Sequence, residues 1–269
     1  YIDDELYLNP DNWYITNPNL GASVSVKFLE REFKKATDEG KDELQDFTAK
    51  HLNVQIGISL RANRWAAVEF WEAAAAPVPF TLEELIEASE VITIGIDGGG
   101  LDDLLGFAAV GRLPIVLREY EDSITKQKVQ IKPWWVWTRA WCHKIALERR
   151  QSIAPTLEGF AKDGDLIIVE NIGDETEQVA QLCKQVEDSG KLDQIGLDPL
   201  GIGTLIEELD AVEIPSEKII GVSQGFKMSG YIKTSEIKIA KKQLIHASQP
   251  IMTWSVGNAR TVVRGSGTM

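Results

Sequence analysis

The sequence has few cysteines and no long apolar run, and these absences exclude two broad classes of protein. Only Cys142 and Cys183 occur among 269 residues. They have neither the spacing of a zinc site nor the density of a secreted disulfide scaffold. No run of about 18 apolar residues is present, so no membrane-spanning helix is predicted. The start of the chain also lacks a basic segment followed by an apolar one, as a signal peptide requires. We therefore expect a protein of a reducing cytoplasm.

Basic residues are scarce overall but unevenly distributed. The chain has 28 Lys and Arg against 41 Asp and Glu, a net charge of -13, which alone argues against a nucleic-acid partner. Residues 218–269 nevertheless contain eight basic residues and a single acid, Glu236, which leaves -20 on the remainder. A basic segment on an acidic body is typical of a phosphate-binding surface. A solvated lysine-rich helix is the alternative.

Residues 1–88 have the pattern of a helical connector. Apolar residues recur at helical spacing between positions 26 and 36, with Ser23 or Ser25 as the cap and Gly40 as the stop. Thr81-Leu-Glu-Glu has the pattern of a capping box, which predicts a short helix ending near residue 88. None of these residues carries obvious chemistry.

At Val91 the hydrophobic period changes to that of β-strands. Short connections between the first runs predict a meander of three antiparallel strands, and later strands alternate with helices. This order predicts an α/β fold with a mixed sheet flanked by helices. The predicted strands are 91–97, 105–112, 114–120, 165–169, 194–198 and 219–222, and the main helices after the meander are 175–188, 202–209 and 235–245.

Two predicted strands end in a carboxylate, Asp97 and Asp198. If these strands are parallel neighbours, both acids lie at the edge where open α/β sheets place their sites. Adjacent carboxylates repel one another, and a shared hard cation resolves the repulsion. Two such cations can activate water and stabilise the leaving oxygen in phosphodiester cleavage. The alternative is that both acids only cap turns, Asp198 before Pro199. Glu170, at another strand end, is a further candidate ligand.

A series of short motifs in fixed order resembles the phage terminase large subunit over almost the whole chain. The resemblance implies an RNase H-like nuclease fold with Asp97 and Asp198 as catalytic metal ligands. It also implies that Asp103 in the first hairpin is a further catalytic metal ligand, and the adjacent Asp102 is the alternative for this position. The implied cofactor is Mg²⁺ or Mn²⁺ in a two-metal site. The motifs are Asn17–Gly21, Leu52-Asn53, Trp65 with Trp71, Ile94–Asp97, Ile195–Asp198, Gln224–Met228, His246 and Trp254–Asn258.

The resemblance also implies a function and partners. Members of this family cut concatemeric double-stranded viral DNA during genome packaging in the host cytoplasm. The implied partners are double-stranded DNA, the portal protein and the small terminase subunit, with no membrane. Within the basic segment, we expect DNA to be bound by Lys238, Lys241, Lys242 and Arg260.

The sequence departs from the family pattern at both ends. It contains no Gly-x-x-x-x-Gly-Lys-Ser/Thr phosphate loop. We therefore expect the ATPase half to lie upstream of Tyr1, residues 1–88 to be the connector, and 89–269 to be a C-terminally incomplete nuclease domain. No acid follows Glu236, so the third catalytic acid is expected beyond Met269. We accordingly expect this chain to bind manganese weakly, at no more than one well-occupied site, and to cleave slowly or not at all.

His246 and a group of tryptophans each have a structural and a functional interpretation. A lone histidine such as His246 is more often structural than catalytic. A stacking platform for DNA could be formed by four tryptophans and two basic residues, Trp134, Trp135, Trp137, Trp141, Lys132 and Arg139. Trp137 and Trp141, four residues apart, are more typical of a core. The glycine-rich turn after Asp97 also resembles the first phosphate loop of actin-like sugar kinases, but no second such loop follows. A non-catalytic docking module for DNA or the portal is the other alternative.

Overall fold

A computed structural model describes residues 6–52, 64–101, 103–122, 124, 126–198, 203–260, 263–264 and 267–268. Three residues discussed above, Asn53, Asp102 and Pro199, lie outside this part of the chain. Contacts divide the chain into two units, Tyr1–Glu69 with Ser255–Val262, and Phe70–Trp254 with Val263–Met269. The division into a connector ending at residue 88 and a nuclease domain stays a prediction.

Ten α-helices are formed by the described residues, and none of these helices is long and apolar enough to cross a membrane. Short 3-10 turns add Leu6–Leu8, Pro10–Ile15, Glu72–Ala74, Ser216–Lys218 and Phe226–Met228. The α-helices are α1 (Val26–Glu39), α2 (Lys41–Leu52), α3 (Val68–Trp71), α4 (Leu82–Ala88), α5 (Lys144–Arg149), α6 (Ala154–Lys162), α7 (Asp174–Asp188), α8 (Gly203–Ala211), α9 (Ser229–Ala240) and α10 (Pro250–Asn258).

Eleven strands are formed in the same part of the chain, seven of them in one mixed sheet. The strands are β1 (Val91–Gly98), β2 (Leu105–Arg112), β3 (Arg118–Glu121), β4 (Lys128–Ile131), β5 (Trp134–His143), β6 (Leu166–Val169), β7 (Leu192–Leu197), β8 (Ile219–Gly221), β9 (Leu244–His246), β10 (Val263–Arg264) and β11 (Gly267–Thr268).

The large sheet has the order β6-β5-β2-β1-β7-β8, and β9 also pairs with β5. Strands β1, β2 and β5 are antiparallel, whereas β7 is parallel to β1, and β8 is parallel to β7. The predicted mixed sheet of three antiparallel strands followed by parallel β-α units is confirmed.

The identity of the third antiparallel strand was predicted wrongly. The structure uses the tryptophan-rich β5 in that place, since its aromatic residues suit a pleated surface. Of residues 114–120, which we predicted as the third strand, Arg118–Tyr120 instead belong to β3, which forms a separate two-stranded arm with β4. All four residues of β3 are exposed, so this arm has no core of its own.

The sheet buries one face under helices α4, α7 and α8. Side chains of alternating parity, including Ile92, Ile94 and Ile96 of β1, pack there with Val179 and Leu205. A smaller apolar cluster covers the opposite face over β5 and β6, where residues of α6 and α10 pack on it. Over β1 and β2, the second face carries partly exposed Thr93 and Ala108 and exposed Gly95.

The helical unit has a separate core around Trp13. Phe33 and Phe47 contact the Trp13 ring at centroid distances of 5.3 and 5.8 Å. The predicted amphipathic helix is α1, with Ser25 rather than Ser23 as its cap, since the Ser25 side chain accepts from the Phe28 amide. The helix ends before Gly40 as predicted. In the sheet unit, the capping box of Thr81 is also confirmed.

Candidate metal centre

Two acids stand at the carboxyl ends of neighbouring parallel strands. Because Ile96 of β1 and Leu197 of β7 are buried on the helix-covered face, Asp97 projects to the opposite face, where it is exposed. Ile96 is in register with Leu197, so Asp97 and Asp198 are the next residues on each strand. Neighbouring strands are about 4.8 Å apart, which places the two acids side by side.

The turn after Asp97 requires glycine. Gly98 has φ +82°, and a Cβ there would lie 2.2 Å from the carbonyl oxygen of Leu104. The amide of Gly99 donates to the same oxygen at 2.9 Å. The backbone therefore reverses immediately beyond Asp97, and the acid is held at the edge by the β1–β2 pairing rather than by packing of its side chain.

Asp103 lies on the returning side of this turn. Its Oδ1 accepts from the Leu104 amide at 2.9 Å, and Arg150 Nη2 lies 3.8 Å from the same oxygen. The described residues contain no group of three or more His, Cys, Asp or Glu side chains arranged to hold a metal ion. The structure therefore does not bring Asp103 into one cluster with Asp97 and Asp198, and its catalytic role stays a prediction.

Glu170 follows β6 at the same edge but is too far from the pair to share a metal with it. Strands β5 and β2 separate β6 from β1, a span of about 14 Å. The Glu170 carboxylate is exposed and pairs with Lys144, whose ammonium holds the pKa of Glu170 below its usual value. His143 Nδ1 accepts from the Ile145 amide, and its Nε2 lies 2.9 Å from the Glu170 carbonyl oxygen. The contacts of Glu170 with His143 and Lys144 therefore give it a structural role at the carboxyl end of β6.

The predicted DNA-binding lysines lie at the opposite edge of the sheet. Strand β9 pairs with the first three residues of β5, so Lys241 and Lys242, which precede β9, lie beyond the amino end of β5. Both are exposed, whereas Lys238 is half-buried with its ammonium 5.3 Å from the Trp134 ring centroid. Arg260 belongs to the helical unit, where it forms an isolated β-bridge with Arg64. DNA binding by these residues stays a prediction.

Other residues noted in the sequence have structural roles. His246 is buried and stacks on Trp71 with ring centroids 3.9 Å apart. Trp137 and Trp141 are in the core, as their spacing indicated, so these two take no part in a stacking platform. Trp135 stacks on Phe80 at 4.3 Å.

The sequence analysis missed a cluster of cations at the end of β2. Arg112 and Lys132 both pair with Glu90, and the Arg112 guanidinium lies 5.6 Å from the Trp134 ring centroid. The sequence did contain a signal, because Arg112 precedes the β3–β4 hairpin and Lys128 and Lys132 lie on its returning side. Since residues 114–120 were assigned to the large sheet, these three cations were not expected to lie together.

Comparison with known proteins gives the class of this fold. The order and directions of β5, β2, β1, β7 and β8 are those of an RNase H-like sheet. No protein-family model and no curated protein matches the sequence.

One solved structure that shares this fold is the large terminase of bacteriophage HK97, with a TM-score of 0.57 and 19% identity. The similarity covers 100% of this chain and 51% of the HK97 protein, so the chain spans about half the length of that terminase. The large terminase nuclease of thermophilic phage G20c, solved with bound magnesium, is less similar. It has a TM-score of 0.40 and 14% identity over 77% of this chain and 87% of that one. The resemblance to phage large terminases is confirmed at the level of the fold.

Proposed function

We propose that the chain is a metal-dependent endonuclease that cuts concatemeric double-stranded viral DNA during genome packaging. The single observation that carries the proposal is the register of β1 with β7, which brings Asp97 and Asp198 to one edge. The shared fold with the HK97 large terminase supports the same conclusion. The portal protein and the small terminase subunit are the proposed protein partners.

The residues at this edge suit Mg²⁺ or Mn²⁺. Both side chains offer carboxylate oxygens, the ligands that hard cations prefer, and Mg²⁺ is commonly held by one or two carboxylates with water completing its shell. Asp97 and Asp198 would hold the ion, which would supply charge neutralisation at the phosphate and a more acidic water. Asp103 would contribute from the hairpin, where Arg150 now lies near its carboxylate.

Nicking of supercoiled plasmid in millimolar Mn²⁺ tests the proposal. We expect slow nicking by the parent and background levels for Asp97→Asn and for Asp198→Asn, because each loses one ligand charge. The matched control is Asp193→Asn, an exposed acid on the same strand β7 but at its amino end. Melting temperatures within a few degrees of the parent would exclude unfolding as the cause. Unchanged nicking by Asp97→Asn would contradict the assignment.

A non-catalytic docking module is the second candidate. The observation that favours it is the lack, among the described residues, of a third acid clustered with the pair. Such a module would bind DNA yet leave plasmid intact under every metal condition, a result that would replace the nuclease proposal. The kinase alternative has less support, because the large sheet takes its seven strands from residues 91–246 and the described residues form no second large sheet, as two duplicated domains would require.

A further inference from the structure

We propose that the amino edge of the sheet carries a second site, which binds the phosphate backbone of double-stranded DNA through Arg112, Lys128, Lys132 and Lys238 around Trp134. The inference rests on the proposed function for its substrate, since the chemistry of the cluster alone indicates a polyanion. It adds a contact surface remote from the acid pair.

The cluster shares a sheet face with the acids. Along β1 and β2, Asp97 is in register with Gly106, and Val91 with Arg112, which in turn is in register with Trp134. Side chains two residues apart point to the same face, so Arg112 and Trp134 project to the side of Asp97. Six residues of strand separate them from the acid, which corresponds to about 20 Å.

The cations of this cluster outnumber its carboxylates. Arg112, Lys128 and Lys132 line a cavity of about 330 Å³, together with Glu119 and Gln130. Lys128 pairs with Glu119 at 3.4 Å, while Glu90 accepts from both Arg112 and Lys132. Lys238, on the other side of the cluster, has no carboxylate partner among the described residues. The local charge is therefore positive on a chain whose net charge is -13.

The face between the two sites leaves room for an extended ligand. Gly95 is exposed, and Thr93 and Ala108 beside it are small and only partly buried. Phosphates on one strand of a duplex are about 3.4 Å apart along the axis, so about six of them span the 20 Å between Asp97 and Arg112. A rigid duplex lying along the strands would contact the acid pair and the cation cluster at the same time. A flexible single strand could instead bind at one of the two sites and turn away from the other.

The contacts expected at the amino edge are to phosphate rather than to bases. Arg and Lys side chains form charge-assisted hydrogen bonds with phosphate oxygens, and these fix position without reading sequence. The Trp134 ring already lies within 6 Å of the cations of Arg112 and Lys238, so it serves to hold them. The Glu90 carboxylate, which pairs with both Arg112 and Lys132, would compete with phosphate for these two cations.

Salt-dependent binding of the whole chain, without divalent metal, tests the site. The ligand is a duplex of about 18 base pairs, three times the span between the two sites. We expect Arg112→Gln with Lys128→Gln to lower the slope of log Kd against log salt by about two. Glu90→Gln should tighten binding, because it removes a competing carboxylate. The matched control is Lys184→Gln, which removes another lysine paired with one exposed acid, on α7 at the opposite face of the sheet.

Three results would overturn the inference. The first is an equal slope for the double variant and the Lys184 control, both shown folded by circular dichroism. The second is weaker binding by Glu90→Gln. The third is an equal loss of slope with single-stranded DNA of the same length, which would remove the assignment to a duplex. The binding experiment contains no divalent metal, so its result does not depend on whether the chain nicks plasmid. A failure of the nuclease proposal can therefore be distinguished from a failure of this one.

Discussion

At the residue scale, the buried imidazole of His246 is tied to the backbone at both nitrogens. Nδ1 accepts from the Ser248 amide at 3.2 Å, so Nε2 carries the proton that it shares with the Trp71 carbonyl oxygen at 2.9 Å. Burial lowers the pKa of His246 from its usual 6.5. The folded protein therefore favours the neutral form of His246.

This lowered pKa predicts a loss of stability in mild acid. The unfolded chain takes up the His246 proton as the pH falls below 6.5, and the folded chain takes it up only at lower pH. The contribution of His246 is thus complete above 6.5 and is lost as the pH falls toward its folded pKa. We expect His246→Asn to flatten this part of the curve of unfolding free energy between about pH 5 and 7.

Urea unfolding of the parent and the variant measures the difference. The comparison with the parent is needed because burial and the neighbouring Lys50 also lower the pKa of His51. Carboxylates whose pKa values are lowered, such as Glu90, act at more acidic pH, from 4.5 downward. Parallel curves for parent and variant between pH 5 and 7 would contradict the prediction.

Single residues differ in how far the sequence predicted them. The position of Asp97 at the end of β1 could be predicted, because alternation along the strand and the glycines after it depend on adjacent residues. The structural role of His246 was also predicted correctly. Neither the ion pair of Asp103 with Arg150 nor the cations around Trp134 could be predicted, since both join residues from distant parts of the chain.

At the element scale, a side chain completes the sheet where a strand is missing. Strands β9 and β6 pair with opposite ends of β5 on the same side, which leaves Thr138 between them. Gln249 fills this gap, because its Oε1 accepts from the Thr138 amide at 2.7 Å and its Nε2 donates to the Thr138 carbonyl oxygen at 2.6 Å. Asp165 also accepts from Gln249 Nε2, at 3.2 Å, which fixes the orientation of the amide.

We expect Gln249→Leu to destabilise the sheet unit. The variant leaves the amide and carbonyl of buried Thr138 without partners, at a cost of about 1–3 kcal/mol for each group. Thermal unfolding followed by circular dichroism measures the loss. The matched control is Gln181→Leu, an exposed glutamine on α7, which should leave the melting temperature nearly unchanged. Equal melting temperatures for the two variants would show that Gln249 does not serve as a strand substitute.

The end of α9 gives a second prediction at this scale. Replacement of Lys238, Lys241 and Lys242 by Glu should weaken binding to any DNA sequence similarly and flatten its salt dependence, because phosphate contacts release counterions. Since Lys238 contacts Trp134, the double variant of exposed Lys241 and Lys242 separates charge from packing. Fluorescence anisotropy at several salt concentrations provides the measurement. An affinity and slope equal to those of the parent would favour the solvated helix.

Elements were predictable where their residues are contiguous and their period is clear. Helix α1 and strand β1 have one apolar period from end to end. Strand β5 was missed because both of its faces are apolar, so it lacks the alternation of a half-buried strand. Residues 114–120 were assigned to the sheet because Ile115, Val116 and Leu117 have the composition of a strand, although the structure leaves all three exposed.

At the scale of the whole molecule, the two sites that we propose lie at opposite edges of one sheet. In the proposed metal site, the acid pair would supply oxygen ligands for one hard cation, and the described residues provide no third clustered ligand. We therefore predict that calorimetry with Mn²⁺ gives at most one weak site for each chain. Asp198→Asn should abolish this binding, whereas Asp193→Asn should preserve it. Two tight sites in the parent would contradict this prediction and show that further ligands exist.

The parallel pairing of β1 with β7 also bears on the order in which the molecule folds. Strand β2 follows β1 directly and can pair with it as a local hairpin, but about 100 residues separate Asp97 from Asp198. Contacts between such distant segments form late, after the loss of chain entropy on closing a long loop. A partly folded chain therefore has one acid at the edge and no pair. In the proposed site, metal affinity would therefore report the completion of folding.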